Sequence, residues 1–136
     1  MVDDIIINKI DTINRCINRI KEEYINSEDE FYSNFTKQDS IILNLERVSQ
    51  ATIDLSTHII RVEKFGIPKT SRDVFILLEQ NNILSKNTSK SMQSMVGFRN
   101  LAMHNYQNLN LDIVVSIINN HLIDFQDFIK EIKANA

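Results

Sequence analysis

Apolar side chains recur at alternating intervals of four and three residues along most of this chain, and that interval restricts the backbone more than any other feature. In the first segment Ile6, Ile10, Ile13, Ile17, Ile20 and Tyr24 follow the pattern without a gap. Such a stripe lies on one face of an α-helix, whereas a strand would scatter it over both faces. Two glycines and one proline leave few places to turn, which argues against a turn-rich all-β fold and for long helices. A first helix is expected from about Asp3 to Ile25.

Residues 26–38 are polar, acidic and without clear period, and are expected to form a loop whose Phe31 and Phe35 pack back onto the bundle. A second helix is expected to start near Thr36 or Asp39, both competent N-caps. Its stripe is Ile41, Leu45, Val48, Thr52, Leu55 and Ile59. Phe65-Gly66-Ile67-Pro68 then ends it, with Gly66 suited to the left-handed cap and Pro68 unable to continue. Thr70-x-x-Asp73 resembles a capping box opening a short third helix through about Gln80, with Val74, Leu77 and Leu78 inward. Ser85 caps a fourth helix carrying Met92, Met95, Val96 and Phe98 inward. Asn108 or Asn110 caps the last, whose stripe is Val115, Ile118, Leu122, Phe125, Ile129 and Ile132. The expected fold is an all-α antiparallel bundle of four long helices plus one short helix, in a single domain over residues 1–136.

Charge and cysteine usage narrow the function classes. Cys16 is the single cysteine, which excludes an internal disulfide framework and fits a reducing compartment. Met1-Val2-Asp3-Asp4-Ile5 carries acids where a signal peptide needs basic residues, and no apolar run approaches a membrane span. A cytoplasmic protein without membrane association is expected. The net charge of −3 gives no general case for nucleic-acid binding. Its distribution is more informative: no Asp or Glu occurs between Gln80 and Leu111, while Lys86, Lys90, Arg99 and His104 do. That window favours an anionic partner, although burial of the fourth helix would explain it equally well.

Inside the window lies Arg99-Asn100-Leu101-Ala102-Met103-His104-Asn105-Tyr106. On a helix Asn100 and His104 share a face, as do Arg99 and Tyr106, but Arg99 and His104 do not. Those two converge only at a wide groove, a helix end or a facing copy of the chain. Arginine offers a permanently charged fork of donors to phosphate oxygens, and histidine exchanges protons near neutral pH. RNA cleavage without a metal needs a base for the 2′-hydroxyl, an acid for the departing 5′-oxygen and positive charge on the phosphorane. One chain offers one histidine here, since His58 and His121 lie on other helices; a two-fold dimer would supply two. On spacing alone, a solvated helix end is the better explanation of the cluster, because Arg and His five apart occur by chance in many helices. Gly97, a mid-helix glycine, marks a place where another backbone comes close. Asp54 and His58, one turn apart, read as a structural polar pair rather than metal ligands, because suitably spaced partners are missing.

The run Met95-Val96-Gly97-Phe98-Arg99-Asn100-Leu101-Ala102-Met103-His104-Asn105-Tyr106 resembles the signature of the HepT toxins of the HEPN superfamily. Glu46-Arg47 leading to Asp54 and His58-Ile59-Ile60, the Gly66-Ile67-Pro68 turn, and Asn82-Ile83-Leu84 fit the same family, so the resemblance covers roughly Glu46 to Tyr106. It implies a HEPN-like helical fold and a metal-independent RNA endonuclease, with tRNA one candidate substrate, in a type VII toxin–antitoxin system. It implies a homodimer whose interface cleft holds Arg99 on the phosphorane, His104 as acid–base residue and Asn100 beside them, with no cofactor. It further implies a partner, a minimal nucleotidyltransferase antitoxin of the MntA type, that transfers AMP to Tyr106. The Ala102-Met103 pair is smaller and more flexible than the family's usual aliphatics, a departure confined to local packing. The alternative is a non-catalytic helical HEPN partner that binds substrate for a separate nucleotidyltransferase subunit.

Overall fold

Side-chain caps mark where most of the helices begin. In the computed structural model, which describes residues 3–136, Asp3 caps α1 (Asp4–Tyr24) by accepting the Ile6 N–H at 2.9 Å. Met1 and Val2, part of the stretch read for a leader, lie outside the described residues. Asn34 caps α3 (Phe35–Glu63) through the Lys37 N–H, two residues ahead of the expected Thr36 and five ahead of Asp39. Thr70 caps α4 (Ser71–Gln80), Ser85 caps α5 (Lys86–His104) and Asn110 caps α6 (Leu111–Asn120). The Thr70 box closes one residue further out than usual, because Asp73 reaches back to the Lys69 N–H at 2.9 Å.

The expected count of four long helices plus one short is wrong. Among the described residues there are seven α-helices, six of them ten residues or longer, and a 3₁₀ turn at Tyr106–Asn108. Two local causes account for the difference. Glu28–Phe31, expected as loop, forms the single-turn α2, with three acids in a first turn where the helix dipole favours negative charge. Its Phe31 is fully buried, and the Gln38 amide donates to the Phe31 carbonyl at 2.8 Å. Phe35, expected to pack inward as well, is 78% exposed.

The expected last helix breaks at His121, giving α6 and α7 (Leu122–Asn135). Two asparagines precede the break, and asparagine side chains compete with the helical backbone for hydrogen bonds. The His121 N–H closes α6 on Ile117, while its ring Nδ1 bonds Asp124 at 2.9 Å inside α7. The apolar stripe runs straight through: Ile118, Leu122, Phe125, Ile129 and Ile132 are buried and Val115 is half-buried. At the end of α3 the left-handed residue is Lys64, with φ 59°, and Gly66 follows at φ 124°.

Packing follows the stripes. Every member of the α1 and α3 stripes named above is buried, and these two helices form the most extensive pair. Their antiparallel register shows in three cross-links: Asp3 to His58 at 2.7 Å, Lys9 to Asp54 at 3.6 Å, and Glu23 to Lys37 at 4.0 Å. Asp54 and His58 therefore do not pair with each other; each reaches α1. Helix α5 lies against α3, α4 and α7. Phe75 and Phe128 meet edge to face at 6.1 Å in the adjoining core, an arrangement suited to the aromatic quadrupole. No helix among the described residues is long and apolar enough to cross a membrane.

Candidate active site

The end of α5 and the turn after it run antiparallel along the first half of α3. Arg99 faces Gln50, and Tyr106, seven residues later, faces Asp39. Arg99 and Tyr106 thus meet the same neighbouring helix.

Arg99 is held at two points. Its Nη1 donates to Gln50 Oε1 at 2.9 Å, and its Nη2 donates to Asn100 Oδ1 at 3.0 Å. Gln50 donates in turn to Asp54 Oδ1 at 2.8 Å, and Asp54 pairs with Lys9. A polar chain therefore runs from α1 through α3 to the arginine. Arg99 Nε is buried without a hydrogen-bond partner among the described residues. An unpaired buried donor works against stability, and such conflicts concentrate at functional sites.

His104 is the last residue of α5, exposed, and its ring has no hydrogen bond or ion pair among the described residues. The helix stops there because Asn105 leaves helical geometry, its N–H closing on the Leu101 carbonyl at 2.9 Å. Asn105 also clasps the following turn, accepting from the Asn108 side chain at 3.0 Å, while buried Leu109 anchors the chain beyond.

Tyr106 opens that turn and donates its hydroxyl proton to Asp39 Oδ1. The phenol is pushed up to about 12, first by burial, then by the hydrogen bond to Asp39 and the negative charges of Asp39 and Glu46. Both effects penalise the phenolate, which would lose hydration and face like charge.

Gly97 has a different neighbour from the one expected. A Cβ at this position would meet the Arg72 guanidinium at 2.9 Å, the far end of a flexible side chain rather than a backbone. A mostly apolar cleft of about 390 Å³ opens among α3, α5, α6 and α7, lined in part by Met95, Phe98, Ile113, Ile117, Lys90 and His121.

Residues 13–132 match the family described as Ribonuclease HepT-like, which is nearly the whole chain. The chain belongs to that family. This HepT-like chain is 53% identical over 133 residues to the mRNA nuclease HepT of Shewanella oneidensis, covering 98% of this chain and 99% of that one. It is 27% identical over 130 residues to the tRNA nuclease HepT of Aphanizomenon flos-aquae, covering 96% and 88%. Among solved structures it is similar to the tri-AMPylated Shewanella oneidensis HEPN toxin in complex with MNT antitoxin, with a TM-score of 0.93, 53% identity, and coverage of 98% and 99%.

Gln50 is not among the residues that stand out in the sequence, and Asp39 stands out there only as a helix cap. A signal was present: Asp39, Glu46, Gln50 and Asp54 stand seven, four and four residues apart, a continuous polar face of α3. The window without acids between Gln80 and Leu111 is accordingly not free of acids in space, because that face of α3 supplies them.

Proposed function

We propose that Arg99 and His104 cleave RNA without a metal, in a cleft completed by a second copy of the chain. The RNA nuclease class follows from membership of the HepT-like family and from two nuclease relatives spanning nearly the whole chain. This also supports the nuclease over a non-catalytic helical partner. The carrying observation is the division of labour at the end of α5: a guanidinium fixed by Gln50 and Asn100, and a histidine in the same last two turns left unengaged.

In this reading one His104 takes the proton of the 2′-hydroxyl as its oxygen bonds to phosphorus. The His104 of a second copy gives a proton to the 5′-oxygen as the phosphorus–oxygen bond breaks. Arg99 stabilises the phosphorane with its remaining donors, and Asn100 orients the guanidinium. The apolar cleft along α5 and α6 is the surface offered for the second copy. Residues 1–136 act as one unit, in the cytoplasm where RNA is the substrate.

The chain is the toxin of a toxin–antitoxin pair whose partner is a nucleotidyltransferase of the MntA type, and AMPylation inactivates it; the complex of its Shewanella relative supports this. We assign the modification to Tyr106. An anion installed two residues from His104 would occupy the groove and repel RNA phosphates.

Co-expression with the cognate nucleotidyltransferase, followed by peptide mapping, tests the assignment. Adenylate on Tyr106 is expected, and adenylate on another residue overturns it.

A further inference from the structure

Tyr106 has a carboxylate already in place to receive its proton. We propose that Asp39 of this chain is the general base for adenylylation of Tyr106, so that the toxin carries part of the machinery that silences it. This rests on the assignment of Tyr106 as the modified residue. The hydroxyl donates to Asp39 Oδ1 across 67 residues of sequence. Asn105, Asn108 and buried Leu109 hold the turn that presents it. Tyr106 is 40% exposed, and its hydroxyl proton faces Asp39 on α3.

The step balances with an adenine nucleoside triphosphate as the co-reactant. Tyr106 Oη bonds to the α-phosphorus, the bond from that phosphorus to the bridging oxygen breaks, and pyrophosphate leaves with the electron pair. The proton passes from Oη to Asp39 Oδ1. Direct ionisation is a poor route, because burial, Asp39 and Glu46 hold the phenol near 12. Removing the proton as the new bond forms avoids the free phenolate.

The molecule contains its own control. Tyr32 donates to Asp112 Oδ1 at 2.5 Å, the same pairing at α2 and α6, and is also half-exposed. A tyrosine–carboxylate contact is therefore not enough to mark a site; the position two residues after His104 distinguishes Tyr106.

The experiment uses full-length chain in a His104→Ala background, which permits production of unmodified protein. It is mixed with saturating cognate nucleotidyltransferase, ATP and magnesium, and the first adenylate mass is followed by intact mass spectrometry across pH 6 to 9. Asp39→Asn is expected to slow the first transfer by about 100-fold or more near neutrality, the usual scale for losing a general base. The deficit should shrink as pH rises, because without the carboxylate the phenolate forms more readily. Asp112→Asn should react at the unsubstituted rate. An Asp39→Asn rate and pH profile like the parent's would overturn the proposal, as would a deficit that is the same at every pH. If the parent itself gains no adenylate on Tyr106, the assignment of the modified tyrosine fails instead.

Discussion

Arg99 on α5 reaches Gln50 on α3 at 2.9 Å, and Gln50 leans on Asp54, which pairs with Lys9 on α1. The guanidinium is therefore aimed by a side chain that does no chemistry itself. Replacing Gln50 with alanine should lower kcat/KM for RNA by about tenfold, the loss expected when one charge-assisted hydrogen bond no longer orients the arginine. Stability should change by no more than about 1 kcal/mol, since the pair is partly exposed. Steady-state cleavage and denaturant unfolding on the same variant separate the two effects.

At Gly97 the close neighbour is Arg72, whose guanidinium can move. Alanine there gains up to about 1 kcal/mol of helix propensity and loses part of it to displacing Arg72. Gly97→Ala should therefore be near neutral in chemical denaturation. The double variant with Arg72→Ala should be more stable than Arg72→Ala alone. A large loss in Gly97→Ala that persists in the double variant would mean that another group, not Arg72, limits the position.

The Asp3 carboxylate caps α1 and accepts from His58, and the His58 hydrogen bond holds its pKa below the usual 3.8. A carboxylate depressed in the folded state contributes stability above its unfolded pKa and loses it as acid protonates the folded form. Asp3→Asn keeps a good cap but removes the charge. Its melting temperature should fall below wild type at pH 5 to 6, and the gap should narrow as the pH drops below 3.8.

Tyr106 titrates in the opposite sense. A phenol raised to about 12 favours the protonated form in the folded chain, so its contribution is present below about pH 10 and lost as pH climbs through the folded value. Asp39→Asn should shift the phenolate absorbance transition of Tyr106 to lower pH. An unmoved transition would show that the hydroxyl is not held by Asp39 in solution.

Where a feature depends on neighbours along the chain, the sequence displayed it. The stripes of α1 and α3 read directly as buried faces, and Thr70, Ser85 and Asn110 cap the helices they were expected to cap, because a cap bonds two or three residues ahead. The break at His121 was hidden because the apolar spacing carries across it unchanged. Phe31 and Phe35 look alike in sequence, yet Phe31, the last residue of α2, is buried and Phe35, the first residue of α3, faces solvent. Arg99, Asn100, His104 and Tyr106 were legible as a group. Their partners were not: Gln50 and Asp39 join them only when α3 and α5 lie antiparallel.

The proposed RNA cleavage depends on proton transfer by His104. The direct measurement is cleavage of total RNA and of purified tRNA by unmodified protein with a chelator present, comparing wild type with His104→Ala at matched helicity and oligomeric mass. Wild type should cut, and His104→Ala should lose at least about 100-fold. Undiminished cleavage by His104→Ala would contradict the assignment of the site.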